Sequence, residues 1–267
     1  MSPIIIPARL VEALTADRAR IVVLTGAGIS AESGIPTFRS ADGWWKSHRP
    51  EDLATPEAFI QDPRLVWEWY EYRRAIVARA QPNPGHRELA RWERRFGDFT
   101  LITQNTDGLH RRAGSSQPLE LHGNINLSLC HRCRQSKGSV GLGVQGEIPA
   151  CECGGLIRPA VIWFGEPLPP QTLQLAWEAS EHADVFLSVG TSSVVQPAAG
   201  LAQVARQAGA FLIEVNPEET PMSQLFDEVL RGPAGAVLPQ IGVDIDIRTG
   251  RVAYRDEKKE RAENHLC

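Results

Sequence analysis

One stretch restricts the fold of this chain more than any other: Ile21-Val-Val-Leu-Thr25, followed by Gly26-Ala27-Gly28-Ile29-Ser30-Ala31. Five residues dominated by β-branched side chains, without a charge, predict a strand buried on both faces. Gly26 and Gly28, with Ala31 in the third position, then give the spacing of a phosphate-binding turn that opens a helix. A side chain at either glycine would keep a pyrophosphate from the backbone amides, and the helix N-terminus favours an anion. The same spacing also serves as a purely structural turn. A dehydrogenase would add a second strand ending in an acid about twenty residues further on. Here that distance falls in Ser40-Ala-Asp-Gly-Trp-Trp-Lys46, a polar and aromatic loop. A nucleotide is therefore held differently, or not at all.

The rest of the chain alternates strands and helices. Strands are expected at 21–25, 99–103, 119–123, 161–165, 185–189 and 211–215, and helices at 8–18, 64–80, 86–95, 169–182 and 197–208. Pro82-Asn-Pro-Gly85 reads as the turn ending the helix before it. This alternation predicts a parallel, doubly wound α/β sheet. Four strands run into small or polar residues: Gly26-Ala-Gly28, Gln104-Asn105-Thr106-Asp107, Gly190-Thr191-Ser192-Ser193 and Asn216-Pro217-Glu218. Ligands of open α/β sheets bind beyond the carboxyl ends of strands, which makes a shared crevice the expected site.

At 267 residues the chain can bury one large core, or a large and a small one. Its net charge of −4 argues against nucleic acid as a main partner. No apolar run approaches the ~20 residues that span a bilayer, so a soluble, cytoplasmic protein is expected. The tail from Asp256 to Glu263 is a charge run that reads as solvated.

Four of the five cysteines cluster, as Cys130-x-x-Cys133 and, 17 residues later, Cys151-x-Cys153; the fifth is the terminal Cys267. Two close thiolate pairs joined by a loop are the pattern of a tetrahedral zinc site. Four protein ligands leave no position for water, so the zinc is expected to be structural, without His131 as a fifth ligand. His122 ends a predicted strand between Leu121 and Gly123, where a histidine is either a core residue or a catalyst. Asn105 and Asp107 suit a site that orients a polar ligand, and equally suit the cap of a following helix.

These motifs, from Gly26-Ala-Gly-Ile-Ser-Ala-Glu-Ser-Gly-Ile-Pro-Thr-Phe-Arg39 through Gln104-Asn-Thr-Asp107, Leu121-His-Gly123, the cysteines, Val161-Ile162-Trp163-Phe164-Gly165-Glu166, Gly190-Thr-Ser192 and Asn216-Pro217, stand in the order found in sirtuins. The chain resembles their bacterial branch of NAD-dependent lysine deacylases that prefers acidic acyl groups. That branch has Thr at the position of Thr37 and a Tyr-x-x-Arg pair, matched by Tyr70 and Arg73. Thr106, where Ile is usual, is a departure.

The resemblance implies a Rossmann-like domain from 1–38, 86–125 and 168–267, and a small domain from a helical insertion at 39–85 and a zinc-binding insertion at 126–167. It implies NAD held by Gly26, Ala27, Gly28, Ser30, Thr37, Phe38, Arg39, Trp45, Gln104, Asn105, Asp107, Gly190, Thr191, Ser192, Asn216, Pro217 and Ala234. It further implies catalysis by His122 and Asn105, zinc on Cys130, Cys133, Cys151 and Cys153, and acyl-lysine bound by Tyr70, Arg73 and residues Val161 to Gly165, the peptide adding as a strand. In the implied reaction the acyl oxygen attacks C1′ of the nicotinamide ribose and His122 acts as base on a ribose hydroxyl. The products are lysine, nicotinamide and 2′-O-acyl-ADP-ribose, from succinyl, malonyl or acetyl substrates on other proteins. An ADP-ribosyltransferase using the same crevice, or a binding module without turnover, stays open, as does the oligomeric state; a monomer is compatible with the sequence.

Overall fold

A computed structural model describes residues 4–37 and 49–251. Phe38, Arg39, Trp45, the tail from Asp256 to Glu263 and Cys267 lie outside the described residues. The chain begins with α1 (Ala8–Leu14), β1 (Ile21–Thr25), α2 (Gly28–Ala31), α3 (Pro50–Leu53), α4 (Pro56–Gln61), α5 (Pro63–Arg79), α6 (Pro84–Arg95) and β2 (Phe99–Thr103). Then come α7 (Leu109–Arg112), β3 (Leu119–Glu120), β4 (Gly123–Cys130) and β5 (Ile157–Val161). The last part carries α8 (Pro170–Glu181), β6 (Val185–Val189), α9 (Gly200–Gln207), β7 (Phe211–Val215), β8 (Glu228–Leu230) and α10 (Ala234–Arg248).

β1 is buried at every position, as its uncharged, β-branched sequence requires of a central strand. It pairs in parallel with β2 on one side and β6 on the other, in a six-stranded sheet ordered β3-β2-β1-β6-β7-β8. Counted along the chain, that is the 3-2-1-4-5-6 order of a Rossmann-like fold. Alternation along the strands divides the core into two layers. Val23, Leu101, Leu187 and Ile213 face α1, α6 and α10 through Leu10, Leu89, Trp92 and Val237. Val22, Leu24, Ile102, Phe186 and Leu212 face α8 and α9 through Ala176, Leu201 and Ala205.

A third core lies off the sheet. Phe59, Trp67, Trp69 and Tyr70, from α4 and α5, pack with Ile125, Cys130, Cys151, Ile157 and Trp163 of the cysteine-bearing segment. Two stretches far apart in sequence therefore share one small core. The Trp67 indole N–H donates to the Ile157 carbonyl at 2.9 Å. Arg74 bridges the same gap, with Nε to the Ile125 carbonyl at 2.7 Å, Nη1 to the Val140 carbonyl at 2.8 Å and Nη2 to the Leu127 carbonyl at 3.1 Å.

Element boundaries differ from the sequence reading at places with a physical cause. Pro84 and Gly85 belong to the first turn of α6 rather than to a turn before it. Asn83 caps that helix by accepting from the Gly85 amide, and His86 Nδ1 accepts from the Asn83 amide, a capping box with histidine in the acid's place. The strand expected over 119–123 stops at Glu120, so His122 sits in a turn, followed by Gly123 at φ +77. The strand expected over 161–165 lies earlier, at Ile157–Val161, where it pairs antiparallel with β4.

The glycines of the first turn have a packing role of their own. A Cβ at Gly26 would lie 2.7 Å from Thr191, and one at Gly28 would lie 2.7 Å from the Gly190 carbonyl oxygen. Neither backbone contact can swing away as a side chain would. Gly28→Ala should therefore lower the unfolding free energy by about 1–3 kcal/mol, read from urea denaturation; an unchanged midpoint would show that the β1 and β6 loops separate freely.

Candidate active site and metal centre

The carboxyl ends of β1, β2, β6 and β7 meet where the strand order reverses, and their polar residues join in one network. Asn216 Nδ2 donates to the Thr191 carbonyl at 2.8 Å, and Gln104 Nε2 donates to Thr191 Oγ1 at 2.9 Å. Asn105 Nδ2 donates to the Gly26 carbonyl and to Ser30 Oγ, both at 3.1 Å, while Ser30 Oγ donates to Asp107 Oδ2 at 2.7 Å. The other oxygen of Asp107 accepts from the Leu109 amide at 2.8 Å. Asp107 thus caps the start of α7 with one oxygen and holds Ser30 with the other. Burial raises the Asp107 carboxyl above its ordinary value, against the hydrogen bonds that lower it.

The expectation of an anion at the end of a helix changes here. α2 has only four residues. The Gly26, Gly28 and Ser30 amides donate to the carbonyls of Val189, Gly190 and Ala27 at 3.0, 2.7 and 3.1 Å. The Gly26 and Gly28 amides hold the turn against β6 and the residue after it, and the Ser30 amide closes the turn on itself.

His122 stands beside this network. Its Nδ1 lies 2.9 Å from the Gln104 carbonyl oxygen. A carbonyl only accepts, so Nδ1 carries the proton and the lone pair is on Nε2. Burial lowers the pKa of His122, and the bond to Gln104 opposes that shift. The imidazole is accordingly neutral near pH 7, in the tautomer a general base needs.

Under the network lie two histidines that the sequence reading passed over. Ser30 donates its proton to Asp107, so His86 Nε2, 3.4 Å away, donates to Ser30. His110 Nε2 meets Thr25 Oγ1 at 2.9 Å, and the two rings are 4.9 Å apart. Burial holds His86 down to about 4 and His110 down to about 3. The sequence signal for His86 was its spacing three residues after the capping Asn83.

The candidate acyl-binding residues are divided by the packing. Tyr70 is buried, accepts from the Trp163 indole N–H at 2.8 Å, and has its pKa pushed up to about 12 by burial. The Arg73 guanidinium lies over the Trp69 ring, 5.3 Å from its centroid, and lines a small cavity with Ile35, Pro36, Tyr72, Ile76 and Val77. The phenol lining that cavity is thus Tyr72, not Tyr70. In the 161–165 loop the amides of Ile162, Trp163 and Phe164 donate to the His122 carbonyl, Glu166 Oε2 and the Ala54 carbonyl at 2.9 Å each. The amides of 162–164 are thus all engaged, and the Trp163 carbonyl accepts from the Glu166 amide at 3.0 Å. Phe164 is 47% exposed, whereas Val161 and Trp163 are buried.

The four clustered cysteines converge, with their Sγ atoms all within 4.8 Å of one another. Tetrahedral zinc with bonds of about 2.3 Å requires sulfur separations of roughly 3.8 Å. The observed 3.4 Å for Cys130–Cys153 and 3.9 Å for Cys133–Cys151 fit that geometry. His131 packs its ring on Phe59 at 5.4 Å and is outside the cluster, as a closed four-sulfur site demands.

A Rossmann-like sheet, a polar crevice at its switch point and a four-cysteine small module together define an α/β protein of the dinucleotide-binding class with a metal-stabilised insertion. Residues 26–197 match the profile of the Sir2 family. The chain belongs to the Sir2 family. It is 53% identical over 226 residues to the "NAD-dependent protein deacylase" of Aquifex aeolicus, covering 84% of this chain and 95% of that one. It is 48% identical over 227 residues to "NAD-dependent protein deacylase 1" of Archaeoglobus fulgidus, covering 85% and 93%. The solved structure of a Sir2 homolog–NAD complex superposes with a TM-score of 0.85 at 45% identity, covering 90% of this chain and 94% of that one.

Two predictions follow from the buried groups. Both histidines titrate below their ordinary 6.5. Their contribution to stability is therefore complete above about pH 6.5 and is lost as pH falls toward about 4 for His86 and about 3 for His110, at up to about 1.4 kcal/mol per pH unit each. Asp107 works in the opposite sense, so the comparison to make is of wild type with His110→Gln in urea unfolding at several pH values. The acid limb should flatten by about one proton. For the cysteine cluster, Cys151→Ser should release zinc and lower Tm by at least roughly 5 °C, since binding energy at such sites is folding energy. Metal analysis of purified protein beside a melting curve checks both.

Proposed function

We propose that the chain is an NAD-dependent protein-lysine deacylase acting on succinyl-, malonyl- and acetyl-lysine. The observation that carries this reading is His122: a neutral imidazole, steered through Nδ1 by the Gln104 carbonyl, beside the polar ends of four strands. The names of the Aquifex and Archaeoglobus relatives support the activity. NAD fits the crevice by the chemistry of its lining. Ser192 offers a hydroxyl, Gln104, Asn105 and Asn216 present amide groups already oriented by the network, and the small residues Gly26, Ala27, Gly28 and Gly190 admit a close approach. Thr37, Asp107, Thr191, Pro217 and Ala234 complete the set.

When bound, NAD supplies an electrophilic ribose carbon and a departing nicotinamide. His122 takes a proton from a ribose hydroxyl at Nε2. Asn105 and Asp107, fixed through Ser30, orient polar groups of the nicotinamide end. Exposed Phe164 covers the lysine stem, and the carbonyls of Ile162 and Phe164 hold the peptide. The preference for acidic acyl groups rests on Arg73. Arg73 is half-buried beside Trp69 and Ile76, burial lowers its pKa, and a guanidinium so placed is suited to a carboxylate.

Mass spectrometry of matched acetyl- and succinyl-lysine peptides, with and without NAD, tests the activity. Loss of the acyl group only with NAD is expected. Addition of ADP-ribose to the peptide would favour a transferase, and no change a binding module. His122→Ala should abolish turnover while NAD still binds. Arg73→Met should lower desuccinylation kcat/KM about ten- to a hundredfold and leave deacetylation nearly unchanged. Equal losses on both peptides would give Arg73 a purely structural role.

A further inference from the structure

The small core contains a buried cation that none of the steps above uses. Arg158 lies on β5, its side chain fully buried. Its Nη2 donates to Glu166 Oε2 at 2.7 Å and Oε1 at 2.9 Å, while Nε and Nη1 are buried without a protein partner. The guanidinium lies on the face of Trp163, its carbon 3.6 Å from the ring centroid. Leaving the three N–H bonds of Nε and Nη1 on a buried cation unpaired is unfavourable, and a Met or Leu of similar volume would avoid it. A role tied to the geometry of this spot accounts for the residue better than stability does.

Glu166 is held from three sides. Besides Arg158, it accepts from the Trp163 amide at 2.9 Å and from Arg134 Nη1 at 3.0 Å. Arg134 directly follows Cys133, at a left-handed φ of +62 that a non-glycine residue seldom adopts, and its amide donates to the Cys130 carbonyl at 3.0 Å. Trp163, fixed by its amide and by the cation on its face, donates its indole N–H to Tyr70 at 2.8 Å. A continuous path thus runs from the turn between the first two cysteines, through Glu166 and Arg158, to the Trp163 ring and the Tyr70 phenol. Each link is a directed contact, and the two acceptor oxygens of Glu166 are shared among three donors.

We propose that Arg158 and Glu166 are positioning residues: a buried ion pair, tied to the cysteine turn by Arg134, that sets the Trp163 indole on its buried Tyr70 partner and so fixes the backbone of the 161–165 loop on which the acyl-lysine peptide lies. This rests on the reading that the 161–165 loop carries the peptide. On this view the four-cysteine module does more than stabilise the fold, because the angle of its first turn is transmitted to the 161–165 loop. Glu166→Gln keeps an acceptor for the Trp163 amide but removes the charge facing Arg158. Arg134→Met removes only the half-exposed link to the cysteine turn.

The test uses the full-length, zinc-loaded protein labelled with 5-fluorotryptophan, the Trp163 resonance being assigned by its disappearance in Trp163→Phe. In both variants that resonance should shift or broaden while the other tryptophan resonances keep their positions. The KM for acyl-peptide should rise about tenfold in Glu166→Gln and about threefold in Arg134→Met. The affinity for NAD, from calorimetry, should stay within a factor of two in either. A Trp163 resonance and a peptide KM that both stay at wild-type values in Arg134→Met would overturn the proposal, and this variant decides alone if Glu166→Gln does not fold. The fluorine signal needs no turnover. A wild-type protein that leaves acylated peptides intact therefore counts against the deacylase reading, and an unmoved resonance against the positioning role.

Discussion

The contact on which the crevice depends is the meeting of two backbones. The turn after β1 and the turn after β6 touch at Gly28 and Gly190, where the Gly28 amide donates to the Gly190 carbonyl at 2.7 Å. Gly190 has φ +59, and a Cβ on it would stand 2.5 Å from the Ile29 nitrogen. Side chains are excluded from both partners, for reasons of space and of backbone conformation. Because the two turns close on each other, Thr191 comes within reach of Gln104 and Asn216, and the polar ends of four strands become one surface.

Behind that surface the polar groups form a shell that tolerates no added charge. Thr25, Thr103, His110, His86, Ser30, Asn105 and Asp107 are all buried. Once the proton of Ser30 goes to Asp107, the tautomer of His86 is decided as well. Such a shell fixes the orientation of Asn105 and Asp107 before any ligand arrives, which is what a site acting by orientation requires.

Much of this was legible in the residues, and the exceptions have causes. β1, β2, β6 and β7 are found within the expected bounds, because central parallel strands are short, mainly apolar runs; the one charge among them, Glu214 of β7, is buried and paired with Arg231. The cysteine cluster was readable because metal ligands leave a spacing in the sequence. His122 was misplaced on a strand because a two-residue edge strand carries almost no pattern. The Tyr70–Arg73 pair illustrates a deeper limit. Positions i and i+3 share a helix face, but the partner of each side chain comes from Trp163 or Trp69 and not from helical spacing. Arg74, adjacent in sequence to Arg73, has its guanidinium bound to the carbonyls of the opposite segment. Arg158 left no signal, and Glu166 stood in the sequence only as the end of the Val161–Glu166 motif, since neither is unusual until the fold buries them together.

The small core built from distant segments also shapes how the chain is made. Trp67 waits for the Ile157 carbonyl, 90 residues later in the chain, and Tyr70 for Trp163, 93 residues later. At ribosomal rates of about 5–20 residues per second, that wait is roughly 5–20 s. Through it, the aromatic face of α5 has no partner from the cysteine segment. Nascent chains of this length should therefore be the species most in need of chaperone protection, with the hazard ending only once β5 has been synthesised.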